Sequence, residues 1–117
     1  MTKLLLAGAG GFLGSVARYG ISVLMAPWTG TFPWATLAIN IAGCFLIGLL
    51  MPMLEQRPEG VVFVVTGILG GFTTFSAFGH ETHRLAQGSN PWMAAVYVAA
   101  SVGAGLAAVW VGRGLAK

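Results

Sequence analysis

Of the 117 residues, 56% are hydrophobic and 8% are charged, with six Lys/Arg against three Asp/Glu for a net charge of +3. A soluble domain carries roughly 25% charged residues, so these few charges cannot cover the surface of a chain this long. Composition thus excludes a soluble monomer, a basic nucleic-acid binder and a disordered tail, and predicts an all-α membrane protein.

Uncharged runs mark the spans. Leu4 to Ala17 is clean over 14 residues, the stretch between Arg18 and Glu55 over 36, Gly60 to Gly79 over 20, and that between Arg84 and Arg113 over 28. A helix needs roughly 20 apolar residues to cross the hydrocarbon core. The longest run holds two helices, because Pro27 to Trp34 (PWTGTFPW) interrupts it with two prolines and a glycine. Its Trp residues suit a membrane–water interface. Four spans are predicted, near 3–25, 33–54, 60–86 and 91–113, as one four-span transmembrane domain over 1–117 with no linker or soluble module. A signal peptide is the poorer reading of Met1 to Ala17, since apolar character resumes directly after Arg18. The single Cys44, in the middle of the second span, forms no intrachain disulfide and reads as a small packing residue.

In the first span, Leu4 to Gly14 (LLLAGAGGFLG) imitates a glycine-rich dinucleotide loop. That mechanism requires a βαβ unit and an acidic group ~20 residues further on, and no Asp or Glu occurs before Glu55. Close helix packing is the better reading, with Gly10 and Gly14 forming one G-x-x-x-G face and Gly67 and Gly71 another. Arg18 is either a snorkelling residue near a helix end or a positive charge at a water-filled vestibule that draws anions inward.

In the second span, Thr36, Asn40 and Gly43 fall on one stripe, with Asn40 close to mid-span. Its amide either glues helices together or donates an N–H to an anion in a pore. The fourth span repeats the pattern with Tyr97, Ser101 and Gly105. The third span is the most informative, reading GILGGFTTFSAF from Gly67 to Phe78. Two glycines followed by two β-branched threonines continue a helix poorly, and a break there frees carbonyls that lipid cannot satisfy. Carbonyl oxygens are hard ligands suited to a small cation. Phe75 and Phe78, at i and i+3, present ring edges whose positive character can replace part of an anion's water shell; two core phenylalanines are the plainer alternative.

These blocks resemble the Fluc (CrcB-type) fluoride channels of microbes. GGFLGSVARY at 10–19, TLAINIAGCFLIG at 36–48 and GILGGFTTFSAFGHE at 67–81 look like the three signature blocks of that family, and the resemblance covers all four spans in order. It implies an antiparallel, dual-topology homodimer with the third helix broken mid-membrane, two fluoride pores, and a structural Na+ at the dimer centre. It also implies roles for particular residues. Phe75 and Phe78 would face fluoride, Asn40 would be the pore amide, and Thr36, Tyr97 and Ser101 the polar track. Arg18 and Glu81 would stand at the vestibule, and the backbone carbonyls of Gly70 and Thr73 would hold the sodium ion. Gly105 departs from the pattern where a further hydroxyl is expected, and Ala77 stands where Thr is common.

The spans carry no Ser/His/Asp set, paired carboxylates or ligand cluster, so the chain does not read as an enzyme. His80, Glu81 and His83 form H-E-x-H, which lacks the i, i+4 His pair of the zinc motif. The expected function is passive, fluoride-selective export across the inner cell membrane, which lowers fluoride toxicity. The expected partners are fluoride, sodium, the lipid bilayer and a second copy of the chain, with no nucleic acid. The alternative is a small multidrug-type proton-coupled exporter, which needs a membrane-embedded carboxylate; the first three spans have none before Glu81. Lys3, Arg57, Arg113 and Lys117 would share one side of the membrane, against Arg84 and Arg18 on the other. That bias is weak by the positive-inside rule, and dual insertion is the expectation.

Overall fold

The computed structural model describes residues 1–116, and every regular element among them is helical. Helix α1 spans Thr2–Met25 and ends in a single 3₁₀ turn at Ala26–Trp28, where Pro27 supplies a fixed φ and no donor. Helix α2 is Trp34–Leu54. Helix α3 covers 58–72 and α4 is Phe75–Ala86, separated by two residues in extended conformation. Helix α5 is Trp92–Leu115. Four stretches are long and apolar enough to cross a membrane: Thr2–Trp28, Trp34–Leu54, Pro58–Ala86 and Trp92–Leu115. Lys117, counted above in the charge bias, lies outside the described residues.

Glycine decides how the helices meet. The Gly10–Gly14 and Gly67–Gly71 faces expected from the sequence lie against each other along the α1–α3 seam. A Cβ at Gly10 would strike the Phe63 carbonyl, and one at Gly14 would strike the Ile68 carbonyl. The α2–α5 seam is built the same way, with Gly48 against the Val109 carbonyl and Gly112 against the Phe45 carbonyl. In lipid, where apolar burial no longer drives helices together, such backbone-to-backbone contact is what holds them. Helix α4 closes over α5 around a small core of Leu37, Leu85, Ala94 and Tyr97.

Leu4, Phe12 and Leu24 on α1 and Leu106 and Trp110 on α5 are exposed. A surface so apolar is untenable in water and suits hydrocarbon. With four such spans the chain is a multi-pass membrane protein.

Within α3, residues Val61–Leu69 are wound with the wider i→i+5 pattern, and the Gly70 N–H donates to the Val65 carbonyl. Regular α geometry returns at Gly70–Phe72. Helical winding therefore continues through both glycines and departs at the threonines, with Thr73 at φ −82°, ψ 157° and Thr74 at φ −149°, ψ 117°. Gly71 is needed for a different reason: a Cβ there would come 3.1 Å from Ser15 Oγ and crowd the Gly11 backbone.

Candidate functional site

The two extended threonines are the centre of the site. In an uninterrupted helix the Thr74 N–H would bond to the Gly70 carbonyl and the Ala77 N–H to the Thr73 carbonyl. Here the Thr74 N–H donates to Asn40 Oδ1 at 2.9 Å, and the Ala77 N–H donates to Thr74 Oγ1 at 3.2 Å. The Thr74 hydroxyl is thus the N-cap of α4. The carbonyls of this last turn, Gly70 to Thr73, lose their i+4 donors. That of Gly71 accepts from Arg18, those of Gly70 and Thr73 lie beside a groove, and the Thr73 hydroxyl is occupied in donating to the Leu69 carbonyl at 2.9 Å. A pair of bare carbonyls is a donor set that fits a hard cation.

Asn40 holds this corner from α2. Its side chain accepts from the Thr74 N–H and donates Nδ2 to the Thr74 carbonyl at 3.1 Å, behaving like one residue of a paired strand. An amide nitrogen carries two N–H groups, so one remains for another acceptor. Asn40 lines an open groove of about 400 Å³ together with Thr73, Thr74, Phe75, Phe78 and Ser101. The Ser101 Oγ is buried there without a hydrogen-bond partner. The Phe75 and Phe78 rings lie 5.6 Å apart at 42°, and Phe75 is 83% exposed. An exposed, tilted ring beside a mainly apolar groove that carries a few polar groups has its edge free to meet a ligand.

Beside the groove sits a second group. Glu81 Oε1 accepts from Thr36 Oγ1 at 2.7 Å, and Oε2 accepts from the Tyr97 hydroxyl at 3.1 Å. Hydroxyls from two other helices, α2 and α5, therefore converge on one carboxylate of α4. The Phe78 ring packs on Tyr97 at 5.2 Å, which joins this cluster to the groove. Tyr97 itself is fully buried and meets Phe32 edge-on at 5.4 Å.

Seven of the residues singled out in the sequence thus meet in one region: Asn40, Phe75, Phe78 and Ser101 in the groove, and Thr36, Glu81 and Tyr97 beside it. Gly70 and Thr73 border the groove. Arg18 joins neither group; its Nε donates to the Gly71 carbonyl at 3.0 Å on the α1 side of the corner. Gly105 is buried, and a Cβ there would stand 3.3 Å from Cys44 Sγ, so the thiol crowds the space a track hydroxyl would use. Sequence reasoning missed Thr74, whose signal was its place as a capping hydroxyl just ahead of a helix. It also missed Phe32, which no local pattern links to Tyr97.

Residues 5–113 match the profile of a family described as CrcB-like protein, Camphor Resistance (CrcB). A protein of Rhizobium meliloti named fluoride-specific ion channel FluC is 43% identical across 100% of this chain and 98% of its own length. Proteins of the same name from Chlorobaculum tepidum and Chlorobium phaeobacteroides are 45% and 42% identical, each over 100% of this chain and over 96% and 94% of their own lengths. With the match running through all four spans, the chain belongs to the CrcB-like family.

Proposed function

We propose that this protein is a passive fluoride channel that lets fluoride leave the cell across the inner membrane. The observation that carries the reading is the groove in which two tilted phenylalanine rings, the Asn40 amide and the unpartnered Ser101 hydroxyl converge, in a chain whose relatives are fluoride-specific channels. Fluoride is small and tightly hydrated, so a pore for it must replace water with hydrogen-bond donors and positive ring edges. Asn40, Ser101, Thr36 and Tyr97 supply the donors, Phe75 and Phe78 the edges. Arg18 contributes a cation and Glu81 a carboxylate that keeps the Thr36 and Tyr97 hydroxyls in place between passages.

The same reading makes the functional unit an antiparallel homodimer of two oppositely inserted subunits, with the Thr73–Thr74 corner at mid-membrane. The Gly70 and Thr73 carbonyls of both subunits would then hold a sodium ion, whose chemistry is purely structural: it neutralises carbonyl dipoles that lipid cannot. The weak Lys/Arg bias supports dual insertion. Labelling a cysteine placed near the C-terminus with a membrane-impermeant reagent, after replacing Cys44, should modify about half the molecules in intact cells; complete or absent labelling would mean one fixed orientation.

Function is tested with purified protein in liposomes. A fluoride electrode should record rapid fluoride release without a proton gradient, and a chloride electrode should record none. Release of both halides, or of neither, refutes the channel. Transport of a cationic drug coupled to protons would instead indicate the exporter.

A further inference from the structure

Arg18 is the one candidate residue that stands apart from the groove. The stripe Gly10, Gly14, Arg18 runs along a single face of α1 at i, i+4 and i+8, and its two glycines let that face touch the α3 backbone. The next turn therefore delivers the Arg18 side chain to the end of α3. The carbonyl it meets is that of Gly71, at 3.0 Å from Nε. In an uninterrupted helix this carbonyl would accept from the Phe75 N–H, which the extended Thr73–Thr74 segment carries out of register. An unpaired carbonyl in a water-poor interior is costly, and a charged donor satisfies it well.

We propose that Arg18 is a positioning residue, whose Nε–H closes the Gly71 carbonyl left open by the corner and thereby fixes the corner that presents Phe75 and Thr74. The corner is then gripped from two sides, by Arg18 through Gly71 and by Asn40 through Thr74. This role depends on where the donor sits and differs from any effect of charge. Lysine retains the charge but carries a methylene where arginine carries Nε, so Arg18→Lys separates the two. The consequence for flux rests on the channel reading; the structural readouts below do not.

The test uses the full-length protein in lipid, labelled with [1-¹³C]glycine and [¹⁵N]phenylalanine. Gly11–Phe12 and Gly71–Phe72 are the two Gly–Phe bonds in the sequence, so a double-labelled spectrum holds one peak from the clasp and one internal reference. Arg18→Lys should move the Gly71 carbonyl peak upfield while the Gly11 peak stays, and fluoride efflux should fall about tenfold or more, as in Arg18→Met. An unmoved Gly71 peak in Arg18→Lys, or wild-type efflux in that variant, overturns the proposal. Wild-type protein provides a check that needs no variant to fold. The Nε–H of Arg18 should exchange with solvent much more slowly than those of Arg57, Arg84 and Arg113, which are exposed; an equal rate also overturns it. Failure of wild-type fluoride release would refute the channel reading alone, leaving the carbonyl and exchange measurements to decide the clasp.

Discussion

The α1–α3 seam and the cluster around Glu81 join helices by opposite means. Along the seam there are almost no side chains: Gly10, Gly14, Gly67 and Gly71 bring two backbones into contact. Around Glu81, hydroxyls from α2 and α5 reach a carboxylate on α4, so side chains make the contact there. A seam of glycines has one geometry and no slack, because the atom a new methyl would meet is a carbonyl fixed in a helix. A cluster of rotatable hydroxyls can trade partners with water or an anion. The rigid seam positions the corner; the adaptable cluster borders the groove through which an ion would pass.

Gly14→Val should break the rigid side most severely. Its branched side chain would collide with the Ile68 carbonyl and the start of the next turn, costing about 3 kcal/mol or more by overpacking. Loss of the folded protein in detergent size-exclusion chromatography would confirm it, and a normal yield would show that the seam can open.

Asn40→Asp probes the junction between the two regions. The carboxylate retains the acceptor for the Thr74 N–H but loses the Nδ2 donor, setting an anionic oxygen against the Thr74 carbonyl. A loss of about 1–3 kcal/mol in stability is expected from the unsatisfied group. It should be accompanied by loss of fluoride efflux; unchanged efflux would remove Asn40 from the pathway.

Tyr97→Phe should have the smallest effect. It keeps the buried ring and its contacts with Phe32 and Phe78, deletes one hydrogen bond to Glu81, and leaves Thr36 on the other oxygen. A stability change near 1 kcal/mol is expected, measured by thermal unfolding in detergent. A larger loss would mean that the cluster is as unforgiving as the seam.

Much of this was legible in the sequence, for reasons that follow from local physics. Uncharged runs of span length and the punctuation at Pro27 to Trp34 place the helices, and G-x-x-x-G spacing places the seams. The exact corner was not legible, because Gly70 and Gly71 look like the weak point when propensity alone is weighed. Gly71's close approach to α1 is a tertiary reason for glycine there, and the departure from helix falls at Thr73 and Thr74. The i→i+5 winding of Val61–Leu69 gives no signal either, since a uniformly apolar run has no periodicity to distinguish one winding from another. The partners of Glu81 and Arg18 lie far away in the chain, so their types were visible and their pairings were not.

The central claim is that the paired rings serve fluoride and are not merely core. The most direct measurement is fluoride efflux from liposomes containing Phe75→Ile or Phe78→Ile, with subunit assembly checked in parallel. Isoleucine keeps apolar bulk and removes the ring's positive edge. Efflux should fall severely in each variant while assembly persists; wild-type efflux in both would contradict the account and leave the phenylalanines as packing alone.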